Sequence, residues 1–466
     1  MSKISKSYSK FIKSKLEYHG SFGFDIGKKD INPMLFDFQK DIVKWALKKG
    51  RAALFTMTGT GKTPMQLEWG NLVNKHTGGD ILILAPLAVS KQTQREGDKF
   101  GIKVNICRTQ KDVKTGLNIT NYEMLSHFNP SKFTGIVLDE SSILKSYDSK
   151  TRTEIIEAFA KTSYRLACTA TPSPNDYMEL GNHSEFLGVM SRTEMLSMFF
   201  VHDMATTQKW RLKRHAEDKY WEWLSSWAVV LTKPSDLGYE DNGFILPPLV
   251  IKKITIPFEG EFGKYLFPMP AETLIERRQA RKQTTSERVL ECAKIANKED
   301  GTFLVWCDLN YESDMLRKKI KDSVEVKGSD SREFKEKALL GFAKGDIRVL
   351  VTKPSIAGFG MNWQHCNNMA FVGLSDSFEQ YFQAVRRCWR FGQTKPVNVY
   401  IITSELEGNV VRNIKRKEQA AEKMIDEMVV HTQNIIMENI QNTKRELAIY
   451  NPTIEMKIPN WLMEEV

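Results

Sequence analysis

From about residue 30 to Thr171, short apolar runs alternate with stretches whose apolar residues recur at helical spacing. Ala52 to Phe55 and Gly135 to Leu138 read as strands, and Pro64 to Val73 reads as an amphipathic helix. Strand alternating with helix predicts an α/β fold built on a parallel sheet. The stretch Tyr177 to Thr232 lacks strand alternation and is rich in Met, Phe and Trp. It is expected to be a helical insertion in which Trp210, Trp221, Trp223 and Trp227 serve as helix-packing core. Pro234, Gly238, Gly243 and the pair Pro247-Pro248 then break the pattern and mark a linker.

A second alternation starts near Thr285 with a helix and continues through strands at Phe303 to Trp306, Val349 to Thr352, Ala370 to Val372 and Val397 to Ile402. Beyond Glu405 the chain turns charged and helical to about Tyr450, suited to bracing the lobes or binding a partner. These shifts divide the chain into a basic, flexible start (1–29), a first lobe (30–176), the helical insertion (177–233), the linker (234–284), a second lobe (285–404) and a helical C-terminal extension (405–466).

A length of 466 residues agrees with two or three domains and large cores. The longest strongly apolar stretch, Ile81 to Val89, is far short of the roughly 20 residues that a spanning helix needs, and the N-terminus lacks the apolar region of a secretion signal, so no membrane segment is expected. Cys107, Cys168, Cys292, Cys307, Cys366 and Cys388 form no CxxC pair, which predicts reduced thiols in a cytosolic chain and no structural zinc. The balance of 67 basic against 57 acidic residues, a net charge of +10, suits a polyanionic partner. Lys3, Lys6, Lys10, Lys13 and Lys15 stand without a neighbouring acid, and Lys209 to His215 and Arg277 to Lys282 are locally basic; each run equally suits a solvated helix face.

Between the first strand and the helix that follows it lies Thr56-Met-Thr-Gly-Thr-Gly-Lys-Thr63. Gly59 and Gly61 allow the tight turn that points backbone N–H groups at a triphosphate, the next helix directs its positive end at the same anion, Lys62 reaches the outer phosphates, and Thr63 can hold magnesium. Asp139 and Glu140 end an apolar strand, where a parallel sheet delivers residues to a nucleotide. The first suits water-mediated magnesium binding, the second orientation and deprotonation of the attacking water. Far downstream, Arg387 and Arg390 are three apart, which on a helix places both guanidinium groups on one face to neutralise charge on a transferred phosphoryl group.

The order of these motifs resembles that of superfamily 2 helicases and translocases, most of all their Swi/Snf branch. Phe36 to Gln39 is similar to the adenine-reading Q motif, Thr58 to Thr63 to motif I, Leu84 to Leu87 to motif Ia, and Thr120 to Glu123 to motif Ib. Leu138 to Ser142 resembles motif II, Thr169 to Pro172 motif III, Ala357 to Trp363 motif V, and Gln383 to Gln393 motif VI. Ser141 and Ser142 depart from the usual alanine and histidine of motif II, which bears on how hydrolysis is coupled to the rest of the motor. The length leaves no room for the accessory domains of chromatin remodellers, so the chain resembles the compact versions encoded by phages and bacteria, which implies a location in the host cytoplasm if phage-encoded.

The resemblance implies two RecA-like parallel-sheet lobes with the helical insertion and C-terminal extension, binding ATP and Mg2+ in the cleft between them. It assigns Gln39, Thr58, Gly59, Thr60, Gly61, Lys62, Thr63, Gly360 and Gln383 to the nucleotide, with Thr63 and Asp139 to the metal. Lys62, Asp139, Glu140, Arg387 and Arg390 are the implied catalytic set, and Thr169 and Thr171 the implied coupling residues. Pro86, Leu87, Thr120, Asn121, Ser355 and Gly358 would touch the backbone of a DNA strand, contacts that carry no base information. The expected function is an ATP-dependent DNA helicase or translocase. An RNA helicase, the motor subunit of a nuclease complex and a nucleotide-gated binding module remain as alternatives.

Overall fold

The computed structural model describes residues 23–86, 89–145, 149–173, 176–203, 209–257, 281–357, 361–375 and 377–441. The expected contacts Leu87, Gly358 and Gly360, the N-terminal lysines, and the basic run from Arg277 up to residue 280 lie outside them.

In the first lobe the strands are β1 (Arg51–Thr56), β2 (Asp80–Ala85), β3 (Val104–Ile106), β4 (Leu117–Asn121), β5 (Phe133–Asp139), β6 (Tyr164–Thr169) and β9 (Ala228–Leu231). They form one seven-stranded sheet in the order β3-β4-β2-β5-β6-β1-β9, and every pairing in it is parallel. Apolar residues on both faces explain the near-continuous apolar strands: Ala53, Leu82, Ile136 and Ala167 enter one core cluster, and Ala52, Ile81, Val137 and Leu166 the other. The helix Lys62–Thr77 runs between the sheet and the helix Asp37–Lys49. It buries every residue from Met65 to Gly70 and then Leu72 and Val73, so it is an enclosed helix and not the amphipathic surface helix that the sequence suggests. Glu68, buried within it, accepts a hydrogen bond from the Asn32 backbone at 3.0 Å.

In the second lobe β10 (Leu249–Ile256), β11 (Phe303–Cys307), β12 (Ser323–Glu325), β13 (Val349–Thr352), β14 (Asn368–Val372) and β15 (Val397–Ser404) form a six-stranded sheet in the order β10-β15-β14-β11-β13-β12. It too is parallel throughout. The molecule is therefore a pair of parallel-sheet lobes, as expected.

Two stretches differ in content from their sequence reading. Residues 177–233 do contain helices, among them Leu180–Leu187, Arg192–Phe199 and Glu217–Ser225, but also an antiparallel hairpin of β7 (Phe200–Asp203) and β8 (Lys209–Leu212), and β9, which completes the first lobe's sheet beside β1. β9 is four residues long and wholly buried, too short to display a period. The region 234–284 holds β10, an edge strand whose exposed Lys252 and Lys253 hide its strand character and which pairs along its length with β15. The tryptophans Trp221, Trp223 and Trp227 are buried in the first lobe's core as predicted, and Trp210 packs against it partly buried.

The C-terminal helix Gly408–Gln441 has 34 residues, about 50 Å at 1.5 Å per residue. Val410, Ile414 and Ala421 belong to the second lobe's core, whereas Met428 and Val429 enter one core of the first lobe and Ile436 the other. His431 stacks on Trp221 with centroids 5.1 Å apart, and Tyr177 donates a hydrogen bond to Glu427. One helix thus spans both lobes.

Candidate functional site

The order β5-β6-β1 brings the C-terminal ends of three adjacent strands together, and each carries a motif: Asp139 and Glu140 after β5, Thr169 and Thr171 at β6, and the phosphate loop after β1. Gly59 and Gly61 have φ of 99° and 91°, the left-handed region that side chains disfavour. A Cβ on Gly61 would also come within 2.2 Å of Gln39 Nε2, and one on Gly59 within 2.9 Å of the Phe391 backbone nitrogen, which comes from the other lobe. Gln39 donates from Nε2 to the Thr60 carbonyl at 2.9 Å and accepts from the Phe36 backbone at 3.0 Å. It therefore ties the loop to the helix Asp37–Lys49. Thr60 Oγ1 donates back to the Met57 carbonyl at 2.7 Å.

Lys62 is half-buried, and its Nζ donates to the Thr56 carbonyl at 2.8 Å. Burial lowers its pKa, while the charges of Glu140 and Asp139 favour the ammonium. Burial, and then the neighbouring Glu140, push the Asp139 carboxyl up to about 7, with Lys62 opposing them. Tyr122 donates its hydroxyl to the Asp139 carbonyl at 2.8 Å, which links motif Ib to motif II through a buried contact. Glu140 has φ 58° and ψ 57°. A non-glycine residue held there costs on the order of 1–3 kcal/mol and persists where its surroundings over-determine it. Thr169 Oγ1 lies 3.4 Å from Glu140 Oε2 and accepts from the Thr171 backbone at 3.1 Å.

Thr63 in the first helical turn and Asp139 offer one hydroxyl and one carboxylate, hard oxygen donors suited to magnesium. Among the described residues no group of three or more His, Cys, Asp or Glu could hold a metal by itself. That donor set fits an ion coordinated mainly by water and phosphate oxygens, and does not fit a protein cage.

The motif VI arginines come from the second lobe. Its helix Phe378–Val385 ends before them, and Arg387 and Arg390 occupy the turns that follow. The helical-face expectation for this pair is thereby corrected: what orients them is hydrogen bonding to motif V. Arg387 donates to the Met361 carbonyl at 3.1 Å and to Gln383, through the side-chain oxygen at 3.0 Å and the carbonyl at 3.0 Å; Arg390 donates to Asn362 Oδ1. Burial lowers the Arg387 pKa to about 10, with Glu140 and Asp139 among the charges that oppose the shift. Burial and then Arg387 lower that of Arg390 to about 9, and the Arg390 charge in turn acts on Lys62. All five expected catalytic residues therefore share one electrostatic neighbourhood although they come from two lobes.

β2 and β4 are neighbours in register at Leu84 with Thr120 and Ala85 with Asn121, so Pro86 stands beside Thr120 and Asn121 at one end of the sheet. Thr120 is 1% exposed and its hydroxyl has no hydrogen-bond partner among the described residues, whereas Asn121 donates to Glu123 at 2.7 Å. Ser355 is exposed on the short helix Pro354–Ala357. The sequence reading passed over an aromatic cluster at the mouth of the phosphate loop. Phe391 lies 4.8 Å from Phe244, centroid to centroid, and Phe244 lies 5.3 Å from Phe36. Phe36 and Phe391 are 49% and 36% exposed. The unusual exposure of large rings is a signal that only coordinates carry.

The departure at Ser141 has a structural partner: its Oγ lies 3.1 Å from Nε2 of the fully buried His183, whose ring packs edge-on to Phe55. Burial lowers the His183 pKa to about 4. The neutral ring stabilises the fold fully above the free imidazole value of about 6.5, and this contribution fades as pH falls towards 4. Between pH 7 and pH 5 it removes about 2 kcal/mol of unfolding free energy. Denaturant titrations at both pH values are expected to show His183→Gln losing about 2 kcal/mol less than wild type over that interval; equal losses would refute the assignment.

The helicase conserved C-terminal domain family matches residues 284–392 of the chain. A bifunctional helicase and thymine dioxygenase JBP2 from Leishmania braziliensis is 32% identical over 94 residues, 20% of this chain and 9% of that protein. The protein of the same name from Leishmania tarentolae is 30% identical over 101 residues, 22% of this chain and again 9% of that protein. The matched stretch is thus about a tenth of the length of these curated relatives. Among solved structures, the Sulfolobus solfataricus SWI2/SNF2 ATPase core in complex with dsDNA covers 90% of this chain and 99% of its own, at 17% identity and a TM-score of 0.42.

Proposed function

We propose that this chain, whose residues 284–392 match the helicase conserved C-terminal domain, is a superfamily 2 motor with Swi/Snf-like motifs that hydrolyses ATP between its lobes to move along DNA. The observation that carries the reading is the meeting of Lys62, Asp139 and Glu140 from one lobe with Arg387 and Arg390 from the other in one charge cluster, of which Asp139 and Arg387 are buried. In this reading Lys62 and the loop amides hold the outer phosphates, and Thr63 and Asp139 bind the magnesium that neutralises them. Glu140 takes the proton of the attacking water, and the two arginines offset charge on the transferred phosphoryl group. Closure on ATP and reopening after hydrolysis move Pro86 and Asn121 relative to Ser355, so backbone contacts shift along a strand.

Free, buried thiols at all six cysteines support a reducing compartment such as the cytoplasm. Among the described residues no helix is long and apolar enough to cross a membrane. The test is the ATPase rate with single-stranded, duplex and forked DNA and with RNA in one buffer, because affinity depends steeply on salt. Stimulation by RNA alone would favour the RNA helicase alternative, and no hydrolysis with any of them would overturn the reading.

The hairpin strand β8 and the turn after it carry the basic run. Arg211 and Arg214 are exposed, whereas Lys213 donates to the Ser197 and Met198 carbonyls at 2.8 and 3.2 Å and so closes the end of the helix Arg192–Phe199. The run is proposed to face nucleic acid. Alanine at Lys209, Arg211 and Arg214, with Lys213 kept, is expected to reduce the slope of log affinity against log salt by about 1 per lost phosphate contact. An unchanged slope returns the run to ordinary solvated surface.

A further inference from the structure

Glu379 sits in the first turn of the helix Phe378–Val385 of the second lobe, with its side chain 14% exposed. One carboxylate oxygen accepts from Ser142 Oγ at 2.9 Å, and the other pairs with the Lys145 ammonium. Both partners belong to the first-lobe segment that follows Glu140, the 3-10 turn Ser141–Leu144 and the residue after it. From its own lobe the segment is held by Asn182, which donates to the Leu144 and Lys145 carbonyls at 2.8 and 3.2 Å, and by the Ser141 contact with His183. On its other side it is held by this carboxylate of the second lobe. Glu140, at its positive φ, opens the turn. Four residues beyond Glu379, Gln383 holds Arg387.

We infer that Glu379 is a positioning residue that makes hydrolysis depend on lobe closure, by gripping Ser142 and Lys145 and so fixing the turn that sets Glu140. The inference rests on the ATPase reading above. Opening the lobes separates the carboxylate from both donors, and the turn keeps only the contacts from its own lobe. In the closed form the same helix presents Gln383 and Arg387, so the water-activating residue and the arginine are set by one movement. An exposed pair on a single lobe could not report closure; this one joins two lobes.

An acid in a first helical turn also stabilises its own helix, and exchange of charges separates that role from a cross-lobe grip. Lys145→Glu and Glu379→Lys are each expected to lower nucleic-acid-stimulated kcat by about tenfold to 10²-fold, the scale of a misplacement near 1 Å. KM for ATP is expected to stay within about twofold and the melting temperature near wild type, because only alignment in the closed state is disturbed. The combined exchange should regain most of the lost kcat; a helix-terminus role gives no rescue. Paired fluorophores on the two lobes, read with a non-hydrolysable ATP analogue, should report a longer distance in each single variant and the wild-type distance in the combined one. Lys145 is half-exposed, so its variant folds even if Glu379→Lys does not. Wild-type kcat and distance in Lys145→Glu, or a folded double exchange no better than the single ones, overturns the inference. Absence of ATP hydrolysis by the wild type sinks the functional reading and, with it, the coupling to hydrolysis, whereas failure of the grip itself is read separately by the distance measurement.

Discussion

Alanine at Arg390, and separately at Arg387, is expected to leave ATP affinity within about tenfold of wild type while nucleic-acid-stimulated hydrolysis falls by orders of magnitude, approaching the roughly 10³ to 10⁵ that arginines of this kind supply. Arg387 is buried and Arg390 half-buried, and the desolvation of their charges lowers their pKa values to about 10 and about 9. Arg387 feels the charges of Glu140 and Asp139, and Arg390 acts on Lys62, so a bound triphosphate at this place would offset that desolvation cost. An exposed surface arginine would contribute well under 1 kcal/mol. Arg387 also makes the bonds to Met361 and Gln383, so its loss strands buried acceptors at about 1–3 kcal/mol of stability, and Arg390→Ala is the cleaner probe. Equilibrium binding of a fluorescent ATP analogue, steady-state turnover and melting curves together check the outcome. A folded double variant that still turned over ATP at near wild-type rates on DNA would remove the claim that the two lobes share one catalytic cleft.

Glu140→Gln and Lys62→Ala are expected to fail differently. The first keeps its ATP and loses turnover by about 10² to 10⁴, the usual worth of a positioned general base; the second loses phosphate affinity as well, because the charge that meets the outer phosphates is gone. The isosteric amide retains the shape of a side chain whose backbone is already committed to φ 58° and can still meet Thr169. Filter binding of ATP to both variants, beside single-turnover hydrolysis, distinguishes them. Equal loss of ATP affinity in two folded variants would mean that Glu140 binds nucleotide and does not activate water.

The candidate catalytic set was legible in the chain because the chemistry proposed for it is local. A glycine-cornered loop between a strand and a helix, and paired carboxylates at a strand end, are short spacings whose meaning does not depend on distant residues. The apolar strands were legible for a related reason: a parallel sheet covered on both faces needs continuous apolar runs, and β1, β5, β11 and β14 have them. β9 and β10 were not, although β13, as short as β9, was. β9 has four buried residues and β10 carries exposed lysines, so neither displays a period of two, and each is a strand because a neighbour supplies its hydrogen bonds. Local pattern pointed to Lys62, Asp139 and Glu140 as a candidate phosphate and water site, and to two arginines without saying how they are aimed. Their aim depends on Met361, Asn362 and Gln383, on Phe391 packed against Gly59, and on Glu379 held by Ser142 and Lys145. Those contacts join residues up to hundreds of positions apart, and such pairings follow from how two sheets and one long helix pack, which spacing along a chain does not encode.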